Sequence, residues 1–191
     1  WTAMYEGNNL HRCVILKDGA DTVTQWLPYS AQSSRTPEDL WAALLDYEQT
    51  TGGEALSIPH NGNLSNGFMW DTVTYDGDAI NSDYAERRMR WEPIAEVTQI
   101  KGDSETHPAL SPDDPFADFE RWDEFNISNT VKTTPDMYPG SYARSALKRG
   151  LSLEQTAGAN PYALGMIGST DDHTSLATAE EDNFFGKFAN S

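Results

Sequence analysis

The strongest constraint in this chain is a cycle that recurs three times: a helix with one apolar face, a turn marked by glycine or proline, and a short buried run. The first cycle is the clearest. Thr36 is a good N-cap, Pro37 suits the first helical position, and Glu38 and Asp39 complement the positive end of the helix. Leu40, Trp41, Leu44, Leu45 and Glu48 follow at i, i+4 spacing, so one face stays largely apolar as far as Tyr47, and Gly52-Gly53 stops the helix. The apolar run 55–58 comes next, then the polar loop Pro59-His60-Asn61. In the second cycle Asn81 or Ser82 caps a helix over 83–91, Pro93 ends it, and Ile94–Gln99 is the strand. The third has a helix over 141–156 with Tyr142, Ala146, Leu147 and Leu151 on one side, a stop at Gly158, and a strand over 164–167. Ahead of all three, Arg12–Leu16 reads as a buried strand and 22–26 as a weaker one.

This alternation predicts an α/β fold, a parallel sheet with crossover helices. The 191 residues suit one domain, 1–191, and no repeat or low-complexity tract divides them. Thirty acidic side chains against 13 basic ones give a net charge of -17, which argues against nucleic acid or an anionic membrane surface as partner. No apolar run approaches the roughly 20 residues that span a bilayer, so a soluble protein is expected. The single Cys13 excludes an internal disulfide and a cysteine-based zinc site. The compartment stays open between secreted or periplasmic and cytoplasmic.

In parallel α/β folds functional groups gather at the carboxyl ends of the strands. His60 follows the first cycle's strand, Glu96 lies in the second, Asp103, Glu105 and His107 occupy the loop beyond it, and Asp171, Asp172 and His173 close the third. Three of the four histidines therefore fall on one predicted rim. Imidazole and carboxylate together suit zinc, manganese or iron, and the Asp171-x-His173 spacing lets both side chains leave one side of an extended segment. An isolated Asp-x-His in a loop is usually a solvated turn; His60 on a matching strand end is what strengthens the metal reading here. His11 precedes its strand, which predicts the opposite rim and a surface role. Lys101 either polarises a substrate oxygen or pairs with Asp103, the pairing being the more ordinary use. His107 is either a ligand or a plain loop histidine, and the six tryptophans read as core. The stretch from Asp76 to Asn81 starts like a calcium loop, but Ile80 stands at the third ligand position. No phosphate loop, nucleophile elbow or dinucleotide fingerprint is present.

The segment Ile58-Pro59-His60-Asn61-Gly62-Asn63-Leu64-Ser65-Asn66-Gly67 resembles the hallmark Pro-His-Asn-x-Asn-Leu-Ser-Asn-Gly of domain-of-unknown-function family 3604. Glu92-Pro93-Ile94-Ala95-Glu96-Val97, Gln99-Ile100-Lys101-Gly102-Asp103-Ser104-Glu105, Tyr142-Ala143-Arg144-Ser145-Ala146-Leu147 and Gly165-Met166-Ile167-Gly168-Ser169-Thr170-Asp171-Asp172-His173 are similar to that family too. The family resembles the polymerase-and-histidinol-phosphatase (PHP-like) superfamily of metal-dependent hydrolases, whose domains are distorted TIM-like barrels of parallel strands. The resemblance implies that His60, Asp171 and His173 are metal ligands, with Glu96 a supporting one. Glu96 and Glu105 lie in segments that recur in the family; Glu105 is expected as a bridging ligand or general base, Lys101 as a catalytic group beside it, and one or two divalent ions as cofactor. The resemblance assigns nothing to His107.

Such proteins open their metal site with an Asp-Leu-His-x-His segment, and no His-x-His occurs here. The expectation is therefore a partial barrel missing its first strands, an internal fragment of a larger hydrolase. The expected activity is phosphoesterase-type hydrolysis of a small-molecule substrate by a metal-activated water. Amide or lactone hydrolysis is the first alternative. The second is an inactive partial domain that forms a homodimer through an uncovered sheet edge.

Overall fold

The computed structural model describes residues 1–171 and Asp182. Its elements are β1 (Met4–Tyr5), β2 (Asn8–Asn9), β3 (Arg12–Leu16), α1 (Ala20–Val23), α2 (Pro37–Thr51), β4 (Ala55–Pro59), α3 (Ser82–Trp91), β5 (Ile94–Gln99), β6 (Gly102–Asp103), α4 (Ala143–Ala157) and β7 (Gly165–Gly168). The three long helices begin and end where local chemistry dictates. Thr36 Oγ1 accepts the Asp39 N–H at 3.1 Å, and Asn81 Oδ1 accepts that of Tyr84 at 2.9 Å. Gly52 and Gly158 close α2 and α4 in the left-handed region, at φ 73° and 83°. Replacing Thr36 by alanine is expected to cost about 1 kcal/mol, read as a lower urea midpoint at unchanged slope, because it strips the cap from α2.

The strands do not form the expected parallel barrel. β3 pairs antiparallel with β4, in register from Arg12 opposite Pro59 to Leu16 opposite Ala55. β5 lies at the centre of a three-stranded sheet, antiparallel to β6 and parallel to β7. β1 and β2 make a separate small hairpin. Among the described residues the architecture is mixed α/β with sheets of two or three strands, and no TIM-like closure is present.

The cause lies in the stretch between β3 and α2. Lys17 N–H donates to the Glu54 carbonyl at 3.0 Å, so the end of β3 sits against the start of β4. The fifteen-residue α2 delivers the chain to that point through the tight Gly52-Gly53 turn. Residues 17–36 must therefore first carry the chain back to the far end of the helix. That extra passage reverses the strand direction. Within it, the weak strand expected over 22–26 is replaced by the short helix α1, after which Trp26 packs edge-on against Tyr47 at 5.4 Å.

Two cores form around these sheets. The first joins Leu40, Trp41, Leu44 and Tyr47 of α2 to Ala55, Ile80, Tyr84, Ala85 and Trp91. Leu45, assigned to the same helix face from its spacing, is 45% exposed. The second packs Ala146 of α4 with Met69, Trp70, Ala95, Tyr162 and Leu164. Leu151, expected on that face, is 62% exposed. Trp41, Trp70 and Trp91 are core residues, whereas Trp122 is 48% exposed. No helix among the described residues is long and apolar enough to cross a membrane.

Candidate functional site

Antiparallel pairing of β3 with β4 places the start of one strand against the end of the other. His11 therefore does not lie at the opposite rim from His60, as a parallel arrangement required. The His60 N–H donates to the His11 carbonyl at 3.1 Å, and the two rings stack with centroids 6.4 Å apart. Burial lowers the His11 imidazole pKa to about 4, with the neighbouring His60 adding to the effect, so the ring is neutral at neutral pH. Asn61, the next residue, takes a left-handed conformation at φ 57°. Asn9 Nδ2 pins this bend by donating to both the His60 and the Asn61 carbonyls, at 2.5 and 2.9 Å.

His60 is 9% exposed and Glu96, in the middle of β5, is 7% exposed. Glu96 Oε1 lies 2.6 Å from His60 Nδ1, while Glu96 Oε2 accepts the Ser169 hydroxyl at 2.7 Å. With Nδ1–H given to the carboxylate, the Nε2 lone pair faces Asp171, whose Oδ2 is 3.8 Å away. The Lys101 ammonium pairs with that same Asp171 oxygen. Four residues from three separate stretches of the chain thus converge: His60 after β4, Glu96 in β5, Lys101 in the β5–β6 turn and Asp171 after β7. A cavity of about 460 Å³ adjoins the cluster, with His11, His60, Val14, Leu16, Trp26 and Tyr29 among its walls.

The other sequence candidates lie elsewhere. Asp172 and His173 fall outside the described residues. Glu105 pairs with Arg144 at 2.6 Å, and Arg144 in turn holds Asp114 at 2.6 Å. Asp103, expected beside Lys101, instead accepts the Glu105 and Thr106 backbone N–H groups at 2.7 and 3.3 Å. His107 clasps its loop: Nδ1 accepts the Ala109 N–H, Nε2 donates to Asp123 at 2.7 Å, and the ring stacks on Tyr138. Sequence reasoning missed Ser169 altogether and dismissed His11. The signal that would have found His11 is the strand direction, which is not encoded locally.

Among the described residues, no group of three or more His, Cys, Asp or Glu side chains is gathered to hold a metal. What the cluster does present is two donor atoms of metal-capable type, one from His60 and one from Asp171. His60 Nε2 and Asp171 Oδ2 are separated by less than twice the ~2.0–2.2 Å that either donor keeps from zinc. Glu96 stands behind the imidazole as the carboxylate that fixes a ligand's ring and tautomer. An imidazole nitrogen and a carboxylate oxygen are donors of a type that divalent ions accept, and Asp171 already faces the positive charge of Lys101.

The model of the family described as a protein of unknown function (DUF3604) matches residues 1–191. The chain belongs to the DUF3604 family. No curated protein and no solved structure matches it. The match covers both the Pro59–Gly67 loop that carries His60 and the β5–β7 region that carries its partners, so the cluster belongs wholly to the DUF3604 segment.

Proposed function

We propose that this DUF3604 chain contributes to a metal-dependent hydrolase of small-molecule phosphate esters, of the PHP-like kind, with its reaction centre at the His60 cluster. The observation that carries this reading is the line Glu96–His60–Asp171: a carboxylate orients an imidazole whose free nitrogen looks at a second carboxylate. When bound, a divalent ion supplies Lewis acidity toward a phosphoryl oxygen and makes water more acidic. The protein's part is positioning. Ser169 fixes Glu96, Glu96 fixes the His60 tautomer, and His60 and Asp171 are the donors that would hold the ion. The adjoining cavity has space for the organic part of an ester, its volume of about 460 Å³ lying within the ~300–1,000 Å³ usual for ligand sites. Lys101 brings the cationic group that an anionic substrate needs in a chain of net charge -17.

Titration calorimetry with manganese or zinc tests the proposal. Wild-type protein is expected to bind the ion, and Glu96→Gln to bind it about 10–100-fold more weakly while unfolding cooperatively, because the amide no longer holds the ring as a carboxylate does. Phenyl phosphate hydrolysis should follow metal loading and fall in the same variant. Absence of binding of either ion to the wild type would overturn the reading.

A further inference from the structure

Among the described residues the His60 cluster includes the Lys101 ammonium, and its placement is built rather than incidental. Lys101 sits in the tight turn between β5 and β6, where its N–H donates to Gln99 Oε1 at 2.7 Å. Its carbonyl accepts the Asn63 side-chain amide at 2.8 Å, and that amide is in turn fixed by the Trp122 carbonyl and the Ser104 hydroxyl. Gly102 follows at φ 96°, and a Cβ there would meet the Glu120 carbonyl oxygen at 2.8 Å. The backbone at Lys101 is thus held from three sides. Its ammonium reaches Asp171 Oδ2, with the Lys101 and Asp171 side chains only 21% and 16% exposed. The same oxygen is the one 3.8 Å from His60 Nε2, so ammonium and metal would draw on one carboxylate oxygen.

We infer that Lys101 is a resident counter-ion that a divalent metal must displace from Asp171, so that Lys101 sets the metal affinity of the site. The inference rests on the metal reading above and concerns its regulation. An ammonium beside an incoming dication repels it and shares its ligand, and both effects weaken binding. With an ion held by His60 and Asp171, the lysine head would be freed from Asp171 while its backbone stays fixed, and it would be available to meet an anionic substrate group.

Calorimetry with manganese on wild type, Lys101→Met, Lys101→Gln and Lys101→Arg decides the matter, with thermal unfolding followed on each. Removing the charge in Met or Gln is expected to tighten manganese binding by about tenfold or more, the effect of taking away a like charge at this range. Lys101→Arg keeps the charge and should stay near wild type. Two neutral variants are used so that loss of folding in one leaves the other to report. Equal or weaker binding in a folded neutral variant, with manganese bound by wild type, would overturn the counter-ion role alone and leave the metal site standing. No manganese binding by any of the proteins would overturn both.

Discussion

Replacing Glu92 by alanine is expected to cost about 3–5 kcal/mol of folding stability, the range for removing one partner of a buried ion pair. Glu92 caps the C-terminal end of α3 and is fully buried. Its carboxylate accepts from Arg12 Nε at 2.8 Å and from Trp41 Nε1 at 2.9 Å, and pairs with Arg88 Nη2 at 3.2 Å. The variant would leave two guanidiniums in the core with no counter-charge. Arg12 would keep its bond to the Leu10 carbonyl and Arg88 its bond to that of Met69, which satisfy donors but not charge.

The same carboxylate makes stability depend on pH. Burial pushes the Glu92 pKa up, but the Arg12 and Arg88 guanidiniums outweigh it and hold the group below the ordinary glutamate value. A depressed folded-state pKa means the unfolded chain binds the proton more readily. The stabilisation is therefore complete above an unfolded value of about 4.3 and is lost as pH falls through the lower folded value. Urea midpoints measured from neutral to acid pH should fall more steeply for wild type than for Glu92→Gln. Parallel curves would contradict this.

Trp41→Ala should be comparably severe, about 3–5 kcal/mol by the usual cost of truncating a buried aromatic. Trp41 is 1% exposed, meets Tyr84 edge-on at 5.3 Å and lies under the Arg88 guanidinium at 6.0 Å. Its indole N–H is also one of the Glu92 donors, so the two sites are in direct contact. Their double variant should lose less than the sum of the single losses, with a coupling of about 0.5–3 kcal/mol. Trp41→Phe, which keeps most of the ring and removes the N–H, should cost far less than Trp41→Ala. If the two substitutions cost the same, the N–H rather than the volume matters.

Much of this fold could be read locally. Thr36, Pro37 and Gly52 mark α2 because caps and left-handed stops are decided by neighbouring residues. The run Arg12–Leu16 marks a strand by its composition, at the bounds that the structure shows. Pairing direction is not legible, since it depends on residues 17–36 carrying the chain back to the start of α2, and those residues carry no strong periodicity. The consequence reaches the site: parallel strands would put His11 at the rim opposite His60, whereas the antiparallel pair brings the two rings together. His60 and Asp171 read as strand-end residues and Glu96 as a residue inside its strand, and the three lie together in the structure. Lys101 reads either as a group that polarises a substrate oxygen or as the partner of Asp103, two residues away, and in the structure its ammonium pairs with Asp171 instead. Glu105 draws attention in the sequence by its place in the loop beyond the second strand and in a segment similar to the family. Its engagement with Arg144, thirty-nine positions on, has no local sign.

The most direct measurement is zinc-edge anomalous diffraction from crystals of the protein grown with zinc. A single strong peak is expected about 2.0–2.2 Å from both His60 Nε2 and an Asp171 carboxylate oxygen, with Glu96 still bonded to His60 Nδ1 and the Lys101 ammonium withdrawn. A zinc-loaded crystal whose peaks all lie away from His60, with the Lys101–Asp171 pair intact, would contradict a metal centre at this cluster.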